Sequence, residues 1–144
     1  MYGTVAQVAA LARLWTHDGS FYDQGDTDFP RGTNPEEKTV TDWLTNLSAQ
    51  MDIALGSQWF NTPIDPDTAT AAYNAISQYV CGLASDLVNR ANGVNVEVSP
   101  QGRILKDMTA WVKENADGLL KGGATQTESP AIKTQARFHV IGNP

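Results

Sequence analysis

The stretch Asp65–Gly93, DPDTATAAYNAISQYVCGLASDLVNRANG, decides the fold of this chain. Asp65 followed by Pro66 favours a helix start, because aspartate can cap the first turn and proline is tolerated at the first helical position. Asn92-Gly93 favours a helix end, since both residues tolerate the left-handed turn that closes helices. We therefore predict a long central helix over 66–91, about 40 Å long at 1.5 Å per residue.

The predicted central helix is apolar well beyond a single stripe. After its first turn the only ordinary charged residues are Asp86 and Arg90, which lie one helical turn apart and can pair. Because a surface helix of this length normally shows charge to solvent, we expect it to be covered on most sides. Two sources of cover stay open: the chain's own helices, or partly a second copy. The apolar positions are Ala69, Tyr73, Ile76, Val80, Leu83, Leu87 and Ala91, widened by Ala71, Ala75, Tyr79, Cys81, Ala84 and Val88.

Length and charge limit the classes of protein to consider. The 144 residues are enough for one domain with a real core, and we predict a helical domain over 1–123 followed by an extended arm over 124–144. The net charge is −6, which argues against a protein that grips nucleic acid by neutralising phosphates. An acidic wall that lets DNA slide past it remains compatible with this charge.

The single cysteine, Cys81, excludes a disulfide within the chain and favours an intracellular origin. We expect Cys81 to behave as a small buried hydrophobic residue. No run of eighteen apolar residues predicts a transmembrane span, and no basic region precedes an apolar stretch as in a signal peptide.

Two helices are predicted before the central one. Thr4–Gln7 has the form of a capping box, which starts a short helix over Val5–Leu14. The second helix starts either at Asn34–Glu37 or at Thr39, and ends at Gly56. Its apolar stripe is Val40, Trp43, Leu44, Leu47, Met51, Ala54 and Leu55, after which Trp59 and Phe60 are expected to plug the end of the bundle.

Residues 16–34 form a long loop between the first two helices, rich in glycine, aspartate, threonine and serine. Loops of this length in compact domains are often functional or ordered by a partner. Its acids and histidine suggest a metal site, but the spacing does not match the twelve-residue calcium loop. We therefore predict no metal and expect the loop's aromatic residues to pin it to the body or to an adjacent subunit. The candidate ligands are His17, Asp18, Asp23, Asp26 and Asp28.

The C-terminal third contains one more helix and two alternating segments. The helix is predicted over Arg103–Leu120, with one apolar and one charged face, and ends at Gly122-Gly123. Residues 94–98 alternate like a short extended piece, and 124–129 have the composition of a linker. In the final segment Ile132, Thr134, Ala136, Phe138 and Val140 alternate with polar residues, which suggests strand addition to an edge in a partner.

Catalytic and cofactor motifs are missing from the sequence. His17 and His139 are the only histidines, and neither belongs to a nucleophile motif. The phosphate loop GxxxxGK[ST], the dinucleotide fingerprint GxGxxG, HExxH and CxxC do not occur. We therefore predict that the protein is not an enzyme and uses no cofactor.

Three stretches occur in a recognisable order. They are Tyr2–Leu11 (YGTVAQVAAL), Thr33-Asn34-Pro35 followed by Val40-x-x-Trp43-Leu44 and Met51-x-x-Ala54-Leu55, and Ala110–Leu119 (AWVKENADGL). In order and spacing they resemble the opening, second and last helices of the head–tail connector (adaptor) proteins of long-tailed bacteriophages. The resemblance covers roughly residues 2–120, with gaps.

This resemblance implies a helical virion protein of the phage neck, made in the host cytoplasm. Family members form a homo-oligomeric ring, usually a dodecamer, under the portal protein at the capsid vertex. DNA passes through the ring without specific binding during genome packaging and ejection, and a stopper or tail-terminator protein docks below. A C-terminal extension commonly reaches into the portal. No membrane is involved.

Two sets of residues are predicted to make these contacts. Ile132, Ala136, Phe138 and Val140 are expected to dock on the portal. Phe21, Tyr22, Phe29, Tyr79 and Val88 are expected to pack between subunits. The alternative function is a small soluble phage or bacterial regulator that binds a host protein.

Overall fold

The computed structural model describes residues 1–96 and 102–127. Within these ranges the chain is mainly α-helical, with four helices and no β-strand, as the sequence predicts. The helices are α1 (Val5–Leu11), α2 (Glu37–Ser57), α3 (Thr70–Ala91) and α4 (Ile104–Lys121), and a 3₁₀ turn over Arg13–Trp15 follows α1. No helix in the described part of the chain is long and apolar enough to cross a membrane.

The central pair of the bundle is α2 and α3. Both α1 and α4 contact both helices of this pair. The core contains the fully buried side chains of Leu44, Met51, Ile76 and Met108. Because α1 spans only seven residues, it covers only part of the 22-residue α3.

The start of α3 differs from the predicted one. Asp65 does act as a cap, since its Oδ1 accepts from the backbone N–H of Asp67 at 2.8 Å, but the turn it caps is a separate one. Ala69, with φ −126° and ψ 52°, interrupts the helix, so α3 begins at Thr70 rather than at Pro66. The predicted end is confirmed: Ala91 is the last helical residue and Gly93 has a φ of 80°.

The interruption coincides with a close crossing at the end of α4. The backbone N–H of Ala72 donates to the carbonyl oxygen of Gly122 at 3.2 Å. A Cβ at Gly122 would lie 2.7 Å from the Ala72 nitrogen, and one at Gly123 would lie 2.9 Å from the Ala69 Cα. Only glycines permit the chain leaving α4 to pass this close to the start of α3.

We expect Gly123→Ala to lower the free energy of unfolding by about 2 kcal/mol. Gly123 has a φ of 102°, which side chains disfavour, and the added methyl group would meet the backbone of Ala69. Urea denaturation measures the change. The control is Gly118→Ala in α4, where no atom lies within 4 Å of the added Cβ, so stability should hold or rise by up to about 1 kcal/mol. Equal losses in both variants would contradict the crossing as the cause.

The capping box at the start of α1 is confirmed. Thr4 Oγ1 accepts from the N–H of Gln7 at 3.2 Å, and Gln7 Oε1 accepts from the N–H of Thr4 at 2.9 Å. The helix ends at Leu11 instead of Leu14, because the chain tightens into the 3₁₀ turn. There the Trp15 indole N–H donates to Asn89 Oδ1 of α3 at 2.9 Å, which ties the turn to the central pair.

The start of α2 is capped from the preceding loop, an arrangement that neither predicted start contains. Asp23 Oδ1 accepts from the backbone N–H of Lys38 at 2.9 Å, in the first turn of α2. In return Glu36 Oε2 accepts from the backbone N–H of Gln24 at 2.9 Å. This exchange satisfies helix donors that the flanking residues leave unpaired, and it fixes the loop against the helix.

The connector after α2 pairs with the segment after α4. Phe60 is buried, as predicted, whereas Trp59 is 45% exposed and does not plug the bundle. The N–H of Asn61 donates to the Thr125 carbonyl oxygen at 2.9 Å, and the N–H of Thr127 donates to that of Trp59 at 2.7 Å. The segment predicted as a linker therefore begins on the body of the protein.

The last helix agrees with its prediction to within one residue at each end, and its charged face is exposed. Residues 94–96 form no strand. The rest of the predicted extended piece, 97 and 98, and the alternating segment over 132–140 lie outside the described residues.

Candidate assembly surface

The flank of the bundle formed by α1 and α3 carries an apolar groove. Its first part is a cleft of about 250 Å³ lined by Gln7, Ala10 and Leu11 of α1 and by Ser77, Gln78 and Cys81 of α3. Leu11 and Gln78 also line the next cleft, of about 430 Å³, which continues along α3 past Tyr79, Gly82, Leu83, Ser85 and Asp86. We call the two together the α1–α3 groove.

Two leucines, in α1 and in the turn that follows it, are left in contact with water, and of the two Leu11 lines the groove. Leu11 is 59% exposed and Leu14, in the 3₁₀ turn, is 81% exposed. Leu11 is exposed because α1 packs on the rest of the bundle with Val8, Ala9 and Ala12 buried. Fully burying one such side chain contributes about 1.5–3 kcal/mol, so a partner that covered both leucines would gain substantially.

One hydroxyl at the groove lacks a hydrogen bond. Ser77 is only 2% exposed, and its Oγ is the single buried side-chain oxygen or nitrogen without a partner in residues 1–96 and 102–127. An unmade hydrogen bond of this kind costs about 1–3 kcal/mol.

The groove contains one charged side chain, Asp86. Burial raises the pKa of its carboxyl group above the ordinary value, because the charged form loses hydration. The expected ion pair with Arg90 is absent, since the ion pairs in the described ranges are His17–Asp18 and Lys38–Glu36. A cation from another segment or molecule would therefore be favoured near Asp86.

The thiol of Cys81 lies at the bottom of the groove and is buried, as predicted. Burial raises its pKa, which keeps it protonated at neutral pH. It therefore acts as an apolar wall of the groove, in contact with Gly3 and Gln7 of the N-terminal segment.

The five residues predicted to pack between subunits fall into two groups. Phe21 is 2% exposed and Val88 is fully buried, so the chain's own core already covers both side chains. Tyr79 is partly exposed, lines the groove and stacks on Trp111 of α4 with ring centroids 4.6 Å apart. Tyr22 and Phe29 are also partly exposed but belong to an aromatic cluster in the loop.

That loop cluster is centred on His17. Its imidazole ring stacks on Phe29 with centroids 4.1 Å apart and meets the edge of Tyr22 at 6.0 Å. The loop acids have structural partners instead of a shared centre: Asp23 caps α2, and Asp26 Oδ1 accepts from the N–H of Asp28 at 2.8 Å. In the described part of the chain no three such side chains converge as they would around a metal ion.

The N-terminal segment is anchored by Tyr2, a role that the sequence patterns did not reveal. Its backbone N–H donates to Ser48 Oγ at 2.8 Å, its hydroxyl donates to Asp52, and the same oxygen accepts from the N–H of Ile64 at 3.0 Å. Burial, and the hydrogen bond to Asp52, raise the pKa of Tyr2 far above its ordinary value. These partners lie 46 to 62 residues away, so no local pattern could identify them.

The four residues predicted to dock on the portal, Ile132, Ala136, Phe138 and Val140, lie outside the described residues. Searches against protein-family models, curated proteins and solved structures found no match to this chain.

Proposed function

We propose that the protein is a head–tail connector of a tailed bacteriophage: a ring-forming adaptor that joins the capsid portal to the stopper or tail and forms part of the DNA channel. In this role its copies pack side by side through the α1–α3 groove. The ring is a structural element of the virion neck and performs no catalysis.

The uncovered flank of α3 is the observation that carries this proposal. A helix of 22 residues in a small bundle has one side lined by half-buried apolar residues and a single charge, next to the exposed Leu11. Such a surface supports the proposal, because covering apolar side chains with a partner is favourable in water. A second copy that covered it would account for the absence of a charged solvent face.

The charge of the chain supports the same proposal. With sixteen acidic and ten basic residues, a ring of this protein would be strongly negative. A negative channel wall repels phosphates, so DNA could move through it without being held. The resemblance of residues 2–120 to adaptor proteins adds the expected order of helices.

The proposed contact with the portal involves the C-terminal arm. Ile132, Ala136, Phe138 and Val140 alternate with polar residues, as in a strand that adds to the edge of a sheet. In this proposal the arm attaches the ring to the portal, while the α1–α3 groove attaches one subunit to the next.

The test is native mass spectrometry of the protein alone and with the portal protein encoded by the same genome. We expect copies of the protein to assemble into a closed ring on the portal, most often as a dodecamer. If the protein does not bind the portal at any molar ratio of the two proteins, the proposal is contradicted. That result would favour the alternative function, a regulator that binds a host protein. Cryo-electron microscopy of virions gives an independent test, since the chain must then occupy the portal–tail junction.

A further inference from the structure

We propose that residues 131–141 bind in the α1–α3 groove of their own chain as long as no partner is present. The arm would thereby cover the surface through which copies associate. The contact itself is intramolecular and can be tested on the protein alone, whereas its effect on association rests on the proposed role of the groove as the subunit contact.

The groove needs an occupant with two properties. Its walls are apolar, and Leu11 stands 59% exposed at its centre, so the occupant must bring apolar side chains. The groove is also lined by the polar side chains of Gln78 and Asp86, so the occupant must bring hydrogen-bonding groups as well. An extended peptide offers both, because its backbone N–H and C=O groups are free wherever they are not paired with another strand.

The sequence of the arm matches this requirement. The apolar residues Ile132, Ala136, Phe138 and Val140 are separated by even numbers of positions. An extended chain would therefore present them on one side. The intervening positions are polar and would lie on the other side, where the long side chains of Lys133 and Arg137 extend to water or to the rim of the groove. The arm therefore has one apolar side that complements the apolar walls of the groove.

Charge favours the same contact. Residues 1–127 contain eight basic and fifteen acidic side chains, a net charge of −7, whereas 128–144 contain two basic and one acidic, a net charge of +1. Lys133 and Arg137 lie within the proposed binding segment, which has no acidic residue. The one charged side chain of the groove is Asp86, whose carboxylate lacks a cation within 4.0 Å in the described structure.

The length of the arm is sufficient to run along the groove of the same molecule. The described chain ends at Thr127, which is hydrogen-bonded to Trp59 beside the end of α2, and the end of α4 touches α3 at Ala72. Ser77 lies only about 8 Å further along α3, and Asp86 about 21 Å further, at 1.5 Å per residue. The eleven residues 128–138 can span up to about 36 Å, which exceeds this length of α3.

Because the arm is attached to the same chain, it binds the groove of that chain in preference to the groove of a neighbouring copy. A segment joined by a short linker experiences an effective concentration on the order of millimolar at its own site. At micromolar protein concentration the intramolecular contact therefore prevails. If the arm binds the portal as proposed above, that binding would free the groove for the next subunit.

The first test places a photoreactive benzoylphenylalanine at position 138 of the full-length protein, in an equal mixture of isotope-labelled and unlabelled chains. We expect cross-links from position 138 to 7–11 or 77–86, each within one isotope class. Cross-linked products that join a labelled to an unlabelled chain would show that the arm binds a neighbouring copy. Cross-links to other residues, or no cross-links, would show that the arm does not bind in the groove. Either result would overturn the inference. The control is the same probe at Leu120 on α4, which should give no groove cross-links.

The second test uses the full-length variant Ile132→Asp/Phe138→Asp. Two carboxylates on the apolar side of the arm should release it, so the uncovered groove should raise the self-association constant at least tenfold in sedimentation equilibrium. A fall in self-association would show that the arm links copies, and no change would show that releasing the arm has no effect on association. Both results contradict the inference, whereas the connector function is tested separately, by ring formation on the portal.

Discussion

We expect that replacing Leu11 and Leu14 by aspartate prevents the proposed ring from forming on the portal while leaving the fold of the chain intact. The two leucines are 59% and 81% exposed, so the isolated chain loses little burial. In a subunit interface each leucine would contribute about 1.5–3 kcal/mol, and a buried unpaired carboxylate would add a further cost. Since about 1.4 kcal/mol is a tenfold change in affinity, we expect the subunit contact to weaken by more than a hundredfold.

Native mass spectrometry with the portal measures this loss, and circular dichroism checks the helical content of the variant. The matched control is Ile53→Asp, an equally exposed position on α2 at 58% that does not line the α1–α3 groove. We expect rings from the control and none from the leucine variant. Rings from both proteins would exclude the groove as the subunit contact.

Replacing Tyr2 by phenylalanine will destabilise the protein by about 2–3 kcal/mol. The change removes one hydroxyl but leaves two groups without their hydrogen-bond partner. They are the Asp52 carboxylate, which accepts a hydrogen bond from the hydroxyl, and the Ile64 N–H, which donates one to its oxygen. Leaving buried polar groups unpaired costs more than the hydrogen bond itself contributes. Urea denaturation at neutral pH gives the difference in the free energy of unfolding.

The control for this experiment is Tyr73→Phe. The Tyr73 hydroxyl donates to the Met1 carbonyl oxygen at 3.0 Å in an exposed position, where water can replace it. We expect a loss below about 0.5 kcal/mol for this variant. Equal losses for the two tyrosines would show that the Tyr2 hydroxyl is not a special anchor.

The raised pKa of Tyr2 adds a pH signature. The unfolded tyrosine ionises near its ordinary pKa of 10.0, whereas the folded one stays neutral to higher pH. The folded state then binds more protons, so its extra stability is complete below pH 10 and falls as pH rises above 10. Tyr2→Phe should lack this part of the alkaline slope in denaturation curves, and an unchanged slope would contradict the assignment.

Local sequence patterns predicted the helices well. The capping box at Thr4, the stripe of α2 and the Asn92-Gly93 stop each depend on residues within one or two turns. Hydrogen bonds and apolar contacts at that range are encoded by spacing alone. The mainly helical class and the ends of α4 could be predicted from the sequence for the same reason, since they too depend on residues close together in the chain.

The candidate assembly surface could be predicted only in part. The sequence indicated that α3 is poor in charge, but it did not reveal that Leu11 is exposed or that the chain's own core buries Phe21 and Val88. The exposure of these three side chains depends on how α1 crosses α3 and on how the loop packs. Periodicity shows which residues share a helix face, not which neighbouring element covers that face.

The sequence by itself determined that this protein is a helical bundle with an acidic body and a central helix almost without charge. Only the tertiary structure decided where that helix begins, how Asp23 caps α2 from a distance, how Tyr2 ties the N-terminus to Asp52, and which flank stays open. The physical reason is range. Helix formation depends on neighbours three or four residues apart, whereas caps, anchors and uncovered surfaces depend on residues brought together across the whole chain.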